Sequence, residues 1–541
     1  MKSPSIDSIL QCSPTTSRDS LESLHPRYAR RSRCLGNYGS YQLLSESRLT
    51  GNKSPSTLIH LLDNDSLLMI LSLSRPMILD ENEADELLIR QGGEWIRERW
   101  WYRLIQVCRK WRYLVLESAS YLRLLLVCAP GTPVADMLAH SPPLPIVIDH
   151  VEDWQYNEIT AEDEKGIVLA LQHRDRVLRI RLSSSILVLQ RLILALDGEF
   201  PILEFLLIEP WPPWSVTEHV DLNFPESFRA PHVHQLVLQN FPTPIQSPLI
   251  TTMANLVTLF FTKIPFSPYF HPNALLRRLS LMPQLEILSV GFKLCHDMER
   301  QLLRTPITTQ VTLPSLRLLG FKGSSAYLEA LLPWVTTPLL EQLEIDFFNR
   351  MLYSIPHLQQ FMNTTGNFRP KTVKVTFYDR LYVRGDLHWH SDRGLYTSSL
   401  SLSLGGKHLE WQVVSAVQVS QALETVFSAV EYLILDYVMV DMSLELSNYE
   451  ADRTGWREFL GSFGNVKTLD ISPGYVLFGQ LSRALQPDEG ESPMELLPRL
   501  QELSYGVRDA LPDAFTLFAD ARQKAGHPVT IVHPQESPIL V

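Results

Sequence analysis

Cysteine is scarce in this 541-residue chain and poorly placed for covalent or metal work. The five present (Cys12, Cys34, Cys108, Cys128 and Cys295) are odd in number and contain no CxxC pair, so neither a disulfide framework nor a thiolate zinc site is expected. Positive charge is in deficit as well: 48 Lys and Arg against 59 Asp and Glu leave a formal charge of -11, whereas a nucleic-acid cradle needs a dense cationic surface. No stretch approaches the roughly 18 uninterrupted apolar residues of a membrane span, and the opening MKSPSIDSILQCSP lacks the apolar core of a secretion signal. Together these absences point to a reducing intracellular setting, cytoplasmic or nuclear, with neither nucleic acid nor membrane as a partner. There is no GxSxG elbow, Walker loop, GxGxxG or HExxH, so no catalytic residue, cofactor or resident metal is expected. His232 with His234, and His388 with His390, have the spacing of two ligands on a strand. No cysteine or carboxylate set completes either pair, and they read as surface histidines.

What is present falls into blocks. Residues 1–56 hold 13 serines and eight Lys or Arg against four acids; with so little apolar periodicity this segment cannot offset its chain entropy and reads as a solvated tail. Residues 57–127 have helical texture. Leu62, Leu67, Ile70 and Leu71 share one helical face behind Asp63-Asn64-Asp65-Ser66, a cluster able to cap the helix start. An acidic insertion near 76–93, containing Asp80 to Glu86, follows. Beyond it Leu104, Val107, Cys108 and Trp111 are spaced as a single buried stripe, continued by Leu114 and Val115. Cys108, on that stripe beside Arg109 and Arg112, is expected to be buried rather than nucleophilic.

Residues 128–533 carry a recurring pattern: apolar, two variable residues, apolar, one variable, apolar. It starts at Val177, Leu203, Val233, Leu256, Leu285, Leu316, Leu340, Thr372, Thr397, Val430, Val466 and Leu500, at intervals of 23 to 36 residues. An LxxLxL strand at that period is the mark of leucine-rich repeats, each a short strand with a helical return. The predicted fold class is therefore an α/β solenoid of irregular leucine-rich repeats preceded by a small all-α module, with 534–541 as a C-terminal tail. Pro201, Pro231, Pro314, Pro338 and Pro498 are expected to hand the chain into the strands, and Ser325 to Val335 and Pro512 to Gly526 read as return helices. The asparagine that usually closes such a repeat is replaced, for instance by Phe241 and Phe348, so irregular curvature is expected. The variable strand positions form a second, concave face. There Phe205, Ile287 and Leu318 are either a substrate stripe or covered by the chain itself. Trp211-Pro-Pro-Trp214 either grips a proline-rich partner or packs on the next repeat.

The 57–127 block resembles an F-box. Leu62, Leu67, Leu68, Ile70 and Leu71 follow its opening pattern LPxDVLLxIF, and Leu104, Val107, Cys108, Arg109, Trp111 and Arg112 follow its closing LxxVCRxWR. Asp63 stands where the pattern has proline and Leu71 where it has phenylalanine. With the run from Ser120 and the repeats, the whole is similar to fungal F-box proteins with degenerate leucine-rich repeats. That resemblance implies a substrate receptor of an SCF-type cullin-RING ubiquitin ligase. Leu62, Leu67, Ile70, Leu71, Leu104, Val107, Cys108, Trp111 and Arg112 would contact a Skp-type adaptor and, through it, cullin, and the repeats would hold a protein substrate of unknown identity. The alternative is a non-ligase repeat scaffold with a degenerate F-box.

Overall fold

The computed structural model describes residues 62–73, 101, 104–119, 122, 124–151, 159–211, 224–241, 245, 247–264, 270–293, 305–348, 354–365, 367–390, 395–406, 408–438, 453–472, 475–487, 492, 494–505 and 515–532. The expected tails at 1–56 and 534–541 and the insertion near 76–93 lie outside them, as does Trp214. The apolar segments become strands through a shared turn. Leu203 donates its N–H to the carbonyl of Phe200, closing Phe200-Pro201-Ile202-Leu203, and the same bond recurs at Ala230–Val233, Met282–Leu285, Leu313–Leu316, Thr337–Leu340 and Leu497–Leu500. Proline is the second residue of all six turns, where its fixed φ suits the bend and its missing N–H costs nothing. The prolines thus sit inside a β-turn rather than feeding an edge strand as expected. The residue closing each turn, Leu203 and Leu316 among them, is fully buried.

From each turn one carbonyl then fixes the next strand. The carbonyl of Glu204 accepts the N–H groups of both His234 and Gln235, that of His234 accepts Val257 and Thr258, and the same two-to-one bond passes on through Val257, Glu286 and Arg317. It reappears from Lys371 through Glu431 and Lys467.

The result is a mixed α/β fold around one 16-stranded, mostly parallel sheet. Its first half runs β1 Leu126–Cys128, β2 Ile146–Val151, β3 Val177–Ser184, β4 Phe205–Pro210, β5 Gln235–Gln239, β6 Thr258–Ile264, β7 Ile287–Phe292, β9 Leu318–Gly323 and β11 Gln342–Phe347. β8 Val311–Thr312 and β10 Val335–Thr336 pair separately. Each of the twelve recurring segments contains a strand. Of the expected return helices, Ser325–Leu331 is helical and tightens to a 3-10 turn at Leu332–Trp334, and Thr516–Lys524 is helical.

Chain order breaks once. The sheet continues β11, β14 (Leu395–Gly405), β13 (Arg380–His390), β12 (Thr372–Phe377), then β15 Tyr432–Tyr437, β16 Thr468–Ile471, β17 Glu502–Tyr505 and β18 Thr530–Val532. The segments at Thr372 and Thr397, expected as consecutive units with a helical return, are instead separated by β13, antiparallel to both. Only Tyr378 and Asp379 lie between β12 and β13, and Leu381 and Val383 alternate buried with the outward Tyr382 and Arg384. A period of two restarts at once and leaves no room for a helix.

Two buried charged groups fasten the ends. Arg522, wholly buried in the last helix, donates through Nη1 to the carbonyls of Leu496 and Leu497 and through Nη2 to those of Pro498 and Leu500, satisfying the turn that starts β17. Near the other end, Thr160 and Asp163 form a capping box on the helix Ala161–Leu171, and the Gly131 N–H donates to Asp163 at 2.7 Å. His150 of β2 is also wholly buried, with no hydrogen bond at either ring nitrogen. Burial drives its pKa from 6.5 to about 4, a fall that nearby Asp163 only partly opposes.

Arg522→Ala should lower stability by roughly 3 kcal/mol, because several buried carbonyls lose their donor, and hydrogen exchange should accelerate first in 496–505. His150 gives a pH dependence whose sign follows from linkage. The unfolded chain takes up the proton first, so the contribution is complete above pH 6.5 and is lost as pH falls toward 4. Its size is about 3 kcal/mol. Melting curves between pH 7 and 4 should show a decline that His150→Leu flattens.

Candidate functional site

The helical module is built from α1 (Asn64–Leu73) packed on α2 (Arg109–Glu117). Asp63 caps α1 as its polar cluster promises: its carboxylate accepts the Ser66 N–H at 2.7 Å and the Ser66 hydroxyl at 3.0 Å. These bonds from Ser66 hold the Asp63 carboxyl below its usual pKa. Leu67 and Leu71 are buried, as are Leu114 and Val115 of α2. Because the core takes only that side of α1, Met69, Ile70 and Leu73 face outward at 62%, 46% and 76% exposure.

The second expected helix is interrupted. Residues 105–107 form a turn, and α2 begins only at Arg109, with Cys108 extended before it at φ -161°. The single stripe expected through Leu104, Val107, Cys108 and Trp111 therefore does not form. Val107 is exposed at 59%, Leu104, Cys108 and Trp111 are half-buried, and Arg112 is exposed. Cys108 is thus not the buried residue the periodicity predicts. The break is stabilised by Arg112, which folds back so that its Nε donates to the Ile105 carbonyl at 3.0 Å. Leu62 is half-buried.

Trp101, to which no role falls in the sequence reading, ties this module to the sheet. It is buried, and its indole Nε1 donates to the Leu125 carbonyl at 3.2 Å, one residue before β1. The only signal for it is the doublet Trp100-Trp101 ahead of the VCRKWR run.

The second face of the sheet divides by chemistry. Toward the N-terminal side Phe205, Leu207 and Val237 are buried together with Phe260 against them, so Phe205 is covered; Ile287 and Leu318 pair in register and stay half-buried. Farther along the face is charged. Asp346 accepts Lys322 at 2.6 Å, Arg380 at 2.5 Å and the Ser403 hydroxyl at 3.1 Å, and Lys374 pairs with Asp436 at 2.9 Å. Burial pushes the neighbouring Asp470 carboxyl up, against the opposing Ser504 and Lys374. Trp211 is half-buried, its N–H bonded to the Ser184 carbonyl. His232 and His234 are exposed, and the side chains of His388 and His390 lie outside the described residues. Among the described residues no group of three or more His, Cys, Asp or Glu side chains is placed to hold a metal, and no helix is long and apolar enough to cross a membrane.

No family model matches the chain, and no curated protein matches it.

Trp101→Ala removes a large buried ring and its hydrogen bond, and should cost about 3–5 kcal/mol locally. Limited proteolysis should then cut within 104–119 under conditions that leave the wild type intact.

Proposed function

We propose that the chain is an irregular leucine-rich-repeat solenoid headed by an F-box module, acting as a non-catalytic substrate receptor of an SCF-type cullin-RING ubiquitin ligase. The observation that carries this reading is the outward apolar set Met69, Ile70 and Leu73 on α1. Val107 and Tyr113, exposed at 59% and 67%, add apolar surface to the same module. A module whose core is already filled by Leu67, Leu71, Leu114 and Val115 gains nothing by exposing these side chains unless a partner buries them. Their i, i+1, i+4 placement suits docking into an apolar groove of a Skp-type adaptor, with cullin recruited behind it. The solenoid reading rests on strands that follow one another in chain order except at β12–β14, with two runs of them held by a carbonyl of the preceding unit.

The repeats would offer a protein substrate the half-buried Ile287 and Leu318 beside the charged row around Asp346. Ubiquitin transfer would belong to the recruited conjugating enzyme, and this chain would contribute proximity. Such a receptor works inside the cell, in cytoplasm or nucleus. The rival reading, a repeat scaffold with a degenerate F-box, is favoured by one observation: the unwound turn at 105–107 within the closing motif.

Co-purification of the full chain with a Skp-type adaptor and cullin separates the two. The exposed-residue variant Ile70→Asp with Leu73→Asp should keep its melting temperature and lose adaptor binding by at least about tenfold. Failure of the folded wild type to bind would leave the scaffold reading standing.

A further inference from the structure

The break in strand order coincides with a cleft. At the carboxyl ends of β6, β7, β9, β11 and β14, beside the turn that starts β13, lies a cavity of about 570 Å³. Lys263, Lys293, Lys322, Arg380 and His408 line it, with Phe292, Trp411 and the pair Gly405-Gly406; among the described residues Asp379 is the one acid in its wall. In open α/β sheets, the crevice outside the carboxyl ends of the strands at a reversal of strand order is where ligands bind.

Several features shape this cleft for an anion. Lys263 has φ 55°, an unfavourable backbone for a side chain with a Cβ, and it sits where β6 and β7 slip register between Phe261 and Ile264. A bulge of this kind re-aims a side chain, here one that lines the cavity. Across from it Gly291 allows close approach of the backbones: a Cβ there would stand 3.3 Å from Lys322 Cβ and 3.6 Å from the Lys263 main-chain nitrogen. Two acids outside the wall take part of the charge, Glu209 at 3.5 Å from Lys263 and Asp346 on Lys322 and Arg380. Among the described residues that line the cleft, four cations (Lys263, Lys293, Lys322 and Arg380) stand with one acid, Asp379. Burial, and then the closeness of Lys263, hold the Lys293 ammonium below its usual pKa, as expected where cations are crowded.

β14 ends at Gly405 and the 14-residue helix Leu409–Ala422 begins four residues on, with Gly405, Gly406 and His408 all lining the cleft, so that the helix starts there. His408 does not cap this helix through its side chain, and Glu410 in the first turn is exposed and outside the wall. First-turn amides and the helix dipole add partial positive charge at that point. Trp411, in the first turn, lines the cleft and is 43% exposed, a large aromatic available for stacking. A cavity of this size exceeds what bare phosphate fills and falls within the range of small-ligand sites.

We propose that this cleft binds a nucleoside phosphate, with its phosphoryl end among Lys263, Lys293, Lys322 and the start of the Leu409–Ala422 helix and its base against Trp411. The site is independent of adaptor docking, lying on the sheet rather than on the helical module. Calorimetric titration of the full chain with ADP, adenosine and inorganic phosphate tests it. ADP should bind at least about tenfold tighter than either fragment, and more weakly as salt rises. Lys293→Gln and Trp411→Leu should each weaken ADP by about tenfold at unchanged melting temperature; Lys263→Gln replaces either variant if it unfolds early. No heat with millimolar ADP, equal affinity for ADP and phosphate, ADP affinity unaltered in the folded variants, or a phosphoserine peptide binding in preference to ADP would each overturn the assignment.

Discussion

The bond on which the architecture depends is the shared carbonyl at the start of each strand. A parallel strand has no local partner, so its register must come from the neighbour laid down before it. Here one carbonyl, such as that of Glu204, His234 or Glu286, receives two successive N–H groups of the next unit. Its place is itself set by the turn just upstream, closed on a fully buried Leu or Val. Turn, buried anchor and forked bond act together, and they sort alternate side chains onto two faces. One face is committed to the core, which leaves the other and the strand ends for chemistry.

The strands and their buried anchors were legible because the repeat marks them, whereas the proline turn and the forked bond were not. Leu203, Val233, Leu285, Leu316, Leu340 and Leu500 are positions at which turn closure and burial coincide. Two further features were not legible, for physical reasons. The interval from Thr372 to Thr397 lies within the range of the other repeats, but periodicity reports burial and not hydrogen-bond partners. β13 acquires its identity only from pairing on both sides. The same limit explains the module. Leu104, Val107, Cys108 and Trp111 keep helical spacing across a segment that is not helical, because Arg112 can satisfy the Ile105 carbonyl from outside the ladder.

The sites were legible to different degrees. Candidate adaptor contacts could be named because they are neighbours along the chain, although which of them face outward depended on where the core lay: Ile70 and Val107 do, Leu67 and Leu71 do not. The cationic cleft could not be named. Lys263, Lys293, Lys322 and Arg380 come from separate elements and gather only through strand register, and an overall charge of -11 gives no sign of such a cluster of cations.

The reversal of strand order also matters while the chain is being made. β11, ending at Phe347, finds its next neighbour in β14, which is not complete until Gly405. A ribosome delivering residues in order would expose the β11 edge during synthesis of the intervening stretch, an open row of amides and carbonyls of the kind that invites pairing with other chains. The first half of the sheet must therefore wait at one defined point, and β12, already emerged, must stay off that edge until the strand destined for it arrives.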